Sequence, residues 1–207
     1  MSFWVVEQIL SFETPKGRLQ MLRHFIQVAE QCRNLNNFSS MWAIVAGVNN
    51  SAIRRLKRTW DLLPPRFMTI LDSLEKSMEA GKSFGAYKAA MTKVSPPAVP
   101  FLGVYLTALL FIQDGSKDMI PGPNKDGPML INFVKRHKAA EVLREIKRFQ
   151  TSLYNLTLVP SATALIEDSL RLASPDNDSA WNLSMEREPR EREEEKVQRL
   201  LQDSGFV

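Results

Sequence analysis

The side chains that carry most enzyme chemistry are scarce in this chain. Its 207 residues include two histidines, His24 and His137, and one cysteine, Cys32. Two separated imidazoles and a single thiol cannot make a zinc site of ordinary spacing. His137 sits in the basic run Lys135-Arg-His-Lys138, and His24 sits in a helical pattern, so each reads as a surface or packing residue. Cys32 falls on a helical apolar face with nothing nearby to activate it, which makes it a half-buried core thiol. Gly81-Lys82-Ser83 has the ending of a phosphate-binding loop, but the glycine required five positions before Gly81 is Lys76. No strand precedes the segment either, so the phosphate-loop match fails. A nucleophile elbow is not expected. The chain is therefore expected to have no metal, no cofactor, no direct nucleotide binding and no covalent chemistry of its own.

The densest charged feature is Ile53-Arg-Arg-Leu-Lys-Arg-Thr-Trp-Asp-Leu-Leu63. Arg54, Arg55, Lys57 and Arg58 give it a basic face, while Ile53, Leu56, Trp60 and Leu63 recur at helical spacing. Three readings of the basic face stay open: a solvated surface, a patch that steers an acidic protein, or a nucleic-acid contact. Trp60 lies on the apolar stripe and not among the basic residues, which argues against a base-stacking platform. By periodicity Leu56 is a core residue.

The elements that must hold these residues are helical throughout. Residues 3–12 are apolar and helix-prone. Thr14-Pro15 is an N-cap with a first-turn proline, and Leu19, Leu22, Phe25, Ile26, Ala29 and Cys32 form an amphipathic stripe to Asn34. Residues 38–48 read as a buried helix, and Asn49-Asn50-Ser51 as a turn with a capping side chain. One helix over 53–63 and another over 66–79, joined at Pro64-Pro65, read as a helical hairpin. A helix over 82–94 precedes the extended connector Ser95-Pro-Pro-Ala-Val-Pro100.

Phe101 to Ile112 is the most apolar stretch. A membrane span needs about twenty residues, so this one reads as a buried core helix. The segment 113–128, rich in proline, glycine and charge, is a loop. Residues 129–150 return to helix, with Leu130, Phe133, Val134, Ala140, Leu143, Ile146 and Phe149 as the expected buried set. Helices near 160–172 and 176–186 follow, then a charged tail over 191–207. No alternating run is long enough for a sheet, and no repeat is seen. The class is all-α, an irregular helical bundle with a protruding helical hairpin.

The balance of the chain is that of an ordinary soluble domain with a net charge of +4. No secretory signal precedes Phe3, so Asn155-Leu-Thr157 is a chance glycosylation triplet. A single cysteine is consistent with a reducing compartment.

Several segments in register resemble the catalytic domain of exchange factors for Ras and Rap GTPases, as in Son-of-sevenless and the fungal Ras activators. They are Phe3-Trp-Val-Val-Glu-Gln-Ile-Leu10; Leu35-Asn-Asn-Phe38 with Ala43-Ile-Val45; Ser51 to Trp60; Pro96-Pro-Ala-Val-Pro-Phe-Leu-Gly-Val-Tyr-Leu106; Ile131-Asn-Phe-Val-Lys-Arg136; Phe149-Gln150 with Tyr154; and Leu183-Ser-Met-Glu-Arg-Glu-Pro-Arg190. The resemblance runs over residues 1–190. It implies a guanine nucleotide exchange factor for a Ras-like small GTPase, working in the cytoplasm, with recruitment to the inner face of the plasma membrane. The family domain normally begins well upstream of the position matching Phe3, so the resemblance also implies a domain lacking its first helices and part of its GTPase-gripping pocket.

In the family a helical hairpin wedges open the nucleotide site. The resemblance places that hairpin at 50–79, with Leu56 obstructing the magnesium site and Asp61 competing with phosphate. Thr59, Asn49 and Asn50 orient the hairpin, and Arg54, Arg55, Lys57 and Arg58 touch the GTPase. The alternatives are a GTPase-binding scaffold without exchange activity and a basic helical nucleic-acid-binding module.

Overall fold

The computed structural model describes residues 1–78, 81–124, 127–173, 176–190, 197 and 201, with the side chains of 81–83 outside the description. The predicted tail over 191–207 therefore lies outside the described residues, apart from Val197 and Leu201. Among the described residues there are eleven helices and one small two-stranded ribbon. The helices are α1 (Ser2–Leu10), α2 (Pro15–Asn34), α3 (Phe38–Val48), α4 (Ser51–Arg54), α5 (Lys57–Trp60), α6 (Pro65–Ser77), α7 (Gly81–Met91), α8 (Leu102–Gly115), α9 (Phe133–Arg148), α10 (Pro160–Leu172) and α11 (Asn177–Arg187). The ribbon pairs β1 (Met119–Ile120) with β2 (Leu130–Ile131) antiparallel, Met119 opposite Ile131. None of these helices is long and apolar enough to cross a membrane.

The all-α expectation holds, and the ribbon is an addition to it. Two-residue strands are too short to show as an alternating pattern. Gly81-Lys82-Ser83-Phe84-Gly85 carries the glycine–serine spacing of a nucleophile elbow, but it lies within α7 and no described strand leads into it.

The chain divides into two compact units. The first comprises residues 1–27, 44–69 and 161–207, and the second residues 28–43 and 70–160. In the first, α1 packs on α4 and α11, and α4 packs on α11. Val5, Val6, Ile9, Leu10, Leu22, Phe25, Ile26, Ile44, Val45 and Val48 are buried there. Gly47 permits the approach of α1 to α3, because a Cβ at that position would lie 2.6 Å from the Ser2 carbonyl and 2.7 Å from the Val5 Cβ. Any side chain would push the helices apart.

In the second unit Phe38 and Tyr87 meet edge to face at 5.7 Å, and Trp42 lies 5.4 Å from Phe101. Leu71, Leu74, Met78, Met91 and Ala98 complete that core. Asn36 closes α2 in the left-handed region at φ 58°, a conformation asparagine tolerates. The Asn37 carboxamide then caps α3 by accepting the Ser40 N–H at 3.0 Å. The proline-rich connector is extended as expected: Val99 accepts the Phe38 N–H and donates to Asn36, each at 2.9 Å.

Two expected buried helices are corrected. α8 buries Val104 and Tyr105 but leaves Leu102, Leu106, Leu110 and Phe111 exposed. On the segment expected over 129–150, Leu130, Phe133, Val134, Ala140 and Leu143 are exposed, Ile146 is half-buried, and Phe149 is buried. Periodicity identifies an apolar face but not whether anything covers it.

Candidate functional site

The segment 49–63 is built around a buried carboxylate. Asn50 caps α4 by accepting the Ala52 N–H at 2.9 Å, and its own amide donates to Asn177. α4 ends after one turn because Leu56 leaves the helical region at ψ 72°. Its side chain enters the core, with no surface exposed. Ile53 and Leu63 are buried with it, and the Trp60 indole donates to the Ile53 carbonyl at 2.9 Å. The apolar stripe is therefore the core stripe that its spacing predicts, while the single helix over 53–63 is two one-turn helices. The predicted hairpin over 50–79 is corrected accordingly: α4 and α5 have four residues each and cannot form its first arm.

Glu188 fixes this segment from the far end of the chain. Its Oε1 accepts from Arg18 Nη2 at 2.8 Å and from the Thr59 hydroxyl at 2.7 Å, and its Oε2 accepts the Arg58 N–H at 3.0 Å. Thr59 in turn accepts from Arg18 Nε at 3.0 Å. Arg55 donates to the Glu188 carbonyl at 2.6 Å and to the Ser184 carbonyl at 2.6 Å. Burial lowers the Arg55 pKa, with the Glu188 charge opposing that shift. The closing motif Ser184-Met-Glu-Arg-Glu188 is thus a structural clasp, a role its sequence spacing did not show.

The predicted site residues separate in consequence. Leu56 and Thr59 are buried, and Arg55 is half-buried and held by the clasp. Leu56 is fully buried in this structure, in the core position that its spacing predicts. Asn50 is a helix cap. Arg58 is half-buried, and its N–H is bound to Glu188. Asn49, Arg54, Lys57 and Asp61 remain exposed. Arg54 lies 4.6 Å over the Trp60 ring and donates to the Asn49 side chain at 2.8 Å.

A true two-helix hairpin exists in the second unit, formed by α8 and α9. At its base Arg148 donates to the Met91 carbonyl at 2.8 Å, and Tyr105 bonds Glu145 at 3.2 Å. The Tyr87 hydroxyl accepts the Phe101 N–H at 2.7 Å, just before α8 begins. Burial pushes the Tyr87 pKa up to about 12, and burial with the nearby Glu145 charge raises that of Tyr105. At the other end, the β1–β2 ribbon joins the helices.

Along α8, Leu102, Leu106 and Leu110 recur at four-residue steps, and Phe111 adjoins them. That spacing sets them on one face. Leu106, Leu110 and Phe111 are 62%, 59% and 69% exposed. Asp114, also exposed, continues the same row one turn past Leu110. Contiguous exposed apolar side chains of this kind mark surfaces that other molecules contact.

The RasGEF domain family profile matches residues 1–137. Ras guanine nucleotide exchange factor K of Dictyostelium discoideum is 38% identical over 190 residues, which are 92% of this chain and 12% of that protein. Cell division control protein 25 of Candida albicans is 38% identical over 184 residues, 88% of this chain and 13% of that one. Ras-specific guanine nucleotide-releasing factor 2 of Mus musculus is 33% identical over 190 residues, 92% of this chain and 15% of that one. The chain thus spans 12–15% of the length of these three relatives.

Proposed function

The chain belongs to the RasGEF domain family, and from that premise we propose that it promotes GDP release from a Ras-type small GTPase, with α8 as the element that enters the nucleotide site. The observation that carries this reading is the uncovered row Leu102, Leu106, Leu110 and Phe111 on a hairpin anchored at its base. The choice of Ras over Rap follows the names of the relatives. The place of action on this reading is the cytoplasm, at the inner face of the plasma membrane.

Exchange requires only differential binding. If the factor binds the empty GTPase more tightly than the loaded one, nucleotide affinity falls by the same ratio. Each tenfold change needs about 1.4 kcal/mol. Burying a Leu or Phe side chain is worth about 1.5–3 kcal/mol. Three such side chains buried only in the empty complex would supply roughly 5–9 kcal/mol before ordering costs. That is enough for several decades of nucleotide weakening. Asp114 would compete with phosphate for cationic groups of the GTPase. Arg54 and Lys57, exposed on the first unit, are proposed to steer association with an acidic partner.

The test is release of a fluorescent GDP analogue from Ras with and without the chain. Accelerated release that Leu110→Glu abolishes supports the proposal. Binding to Ras without accelerated release would leave a scaffold.

A further inference from the structure

The ribbon end of the hairpin contains a buried lysine that the exchange reading leaves without a role. Lys135, in the first turn of α9, is 3% exposed. Its ammonium donates to the Gln113 carbonyl at 2.9 Å and the Ser116 carbonyl at 2.8 Å, and it pairs with Asp118 at 2.9 Å. The last carbonyls of a helix have no partner within it, and here a cation from the neighbouring helix takes that place at α8. Positive charge is also favoured there by the helix dipole. Asn132 ties the same end: its Oδ1 accepts the Lys135 N–H at 3.1 Å, its Nδ2 donates to the Lys117 carbonyl at 2.9 Å, and its N–H donates to the Asp118 carbonyl at 2.8 Å.

Desolvating an ammonium is costly unless strong acceptors surround it, so a lysine at this position needs a reason. Leu110 and Phe111 lie in the turn just before the capped carbonyls, and their direction depends on how α8 ends. We propose that Lys135 is a positioning residue for exchange: by capping α8 from α9, it fixes the direction in which Leu110 and Phe111 project. This rests on the reading of α8 as the wedge. The Asp118 link is secondary, since that carboxylate lies half exposed at the surface.

The experiment compares the wild-type chain with Lys135→Met, Lys135→Arg and Asp118→Asn. It measures fluorescent-GDP release from Ras across a range of factor concentrations, together with thermal melting and amide hydrogen exchange over 110–116. Lys135→Met is expected to lower the maximal release rate about tenfold. The half-saturating concentration should stay within about twofold, because the other docking contacts persist. Melting should change little, protection of the 113–116 amides should fall, and Lys135→Arg should recover most of the rate because it can reach both carbonyls. Asp118→Asn should behave as wild type.

Three results would overturn the proposal. One is a folded Lys135→Met variant that keeps the wild-type maximal rate. Another is an equal loss in Lys135→Met and Lys135→Arg that tracks a fall in melting temperature, which would show a purely structural role. The third is a loss in Asp118→Asn as large as in Lys135→Met, which would move the effect from the cap to the ion pair. A wild-type chain that binds Ras without releasing nucleotide would remove the exchange reading and this role with it, whereas a positioning failure appears only in the variants of an active wild type.

Discussion

Arg18 Nη2 and Glu188 Oε1 lie 2.8 Å apart, both side chains buried, although 170 positions separate them in the chain. The pair joins the start of α2 to the residue after α11, and Thr59 bonds to both partners. A buried pair of this kind contributes little compared with an apolar substitute, but breaking it strands a charge.

Replacing Glu188 with Ala should therefore lower unfolding free energy by about 3–5 kcal/mol. Urea unfolding followed by circular dichroism checks this. Replacing Arg18 with Met should cost a similar amount, and the two changes together should cost less than their sum.

Leu56 and Leu110 should behave as opposites. Leu56 is fully buried, so Leu56→Ala should destabilise the fold by about 2–5 kcal/mol. Leu110 is 59% exposed, so Leu110→Ala should leave stability within about 0.5 kcal/mol. Nucleotide release should show the reverse order, slowing for Leu110→Ala at temperatures where both proteins are folded. Melting curves and release rates on the same samples check both halves.

Alkaline pH should reveal Tyr87. Burial pushes its pKa up to about 12, above its ordinary value near 10. The native state then keeps its proton where the unfolded chain has lost it, so this contribution is complete below the unfolded value and is lost as pH rises through the native one. Tyr87→Phe should make the fall in stability between pH 10 and about 12 shallower than in wild type. At neutral pH it should cost about 1–3 kcal/mol, because the Phe101 N–H loses its acceptor. Unfolding at a series of pH values provides the comparison.

Arg54→Glu with Lys57→Glu should slow association with Ras without changing the fold, since both residues are exposed. The deficit should shrink as salt rises, because screening acts over about 10 Å at 0.1 M. Stopped-flow association at two ionic strengths checks it.

The sequence was informative about composition of faces and poor about their cover. The Ile53, Leu56, Leu63 stripe was legible as core because a helical stripe in a small domain usually faces inward. The α8 stripe has the same chemistry and faces outward, and no residue within it marks the difference. The break at Leu56 was hidden because a helix pattern persists through one non-helical ψ value. The clasp was illegible because Arg18, Thr59 and Glu188 meet only through folding. A capping side chain within Asn49-Asn50-Ser51, by contrast, could be read directly, since capping is decided within two or three residues.

On the proposed reading, α8 enters the nucleotide site of a Ras GTPase. The most direct measurement of this is the release rate of fluorescent GDP from Ras with saturating wild-type chain and with Leu110→Glu, each confirmed folded by circular dichroism. Release should be accelerated with wild type and should run at the uncatalysed rate with the variant. Equal acceleration by both proteins would contradict that reading.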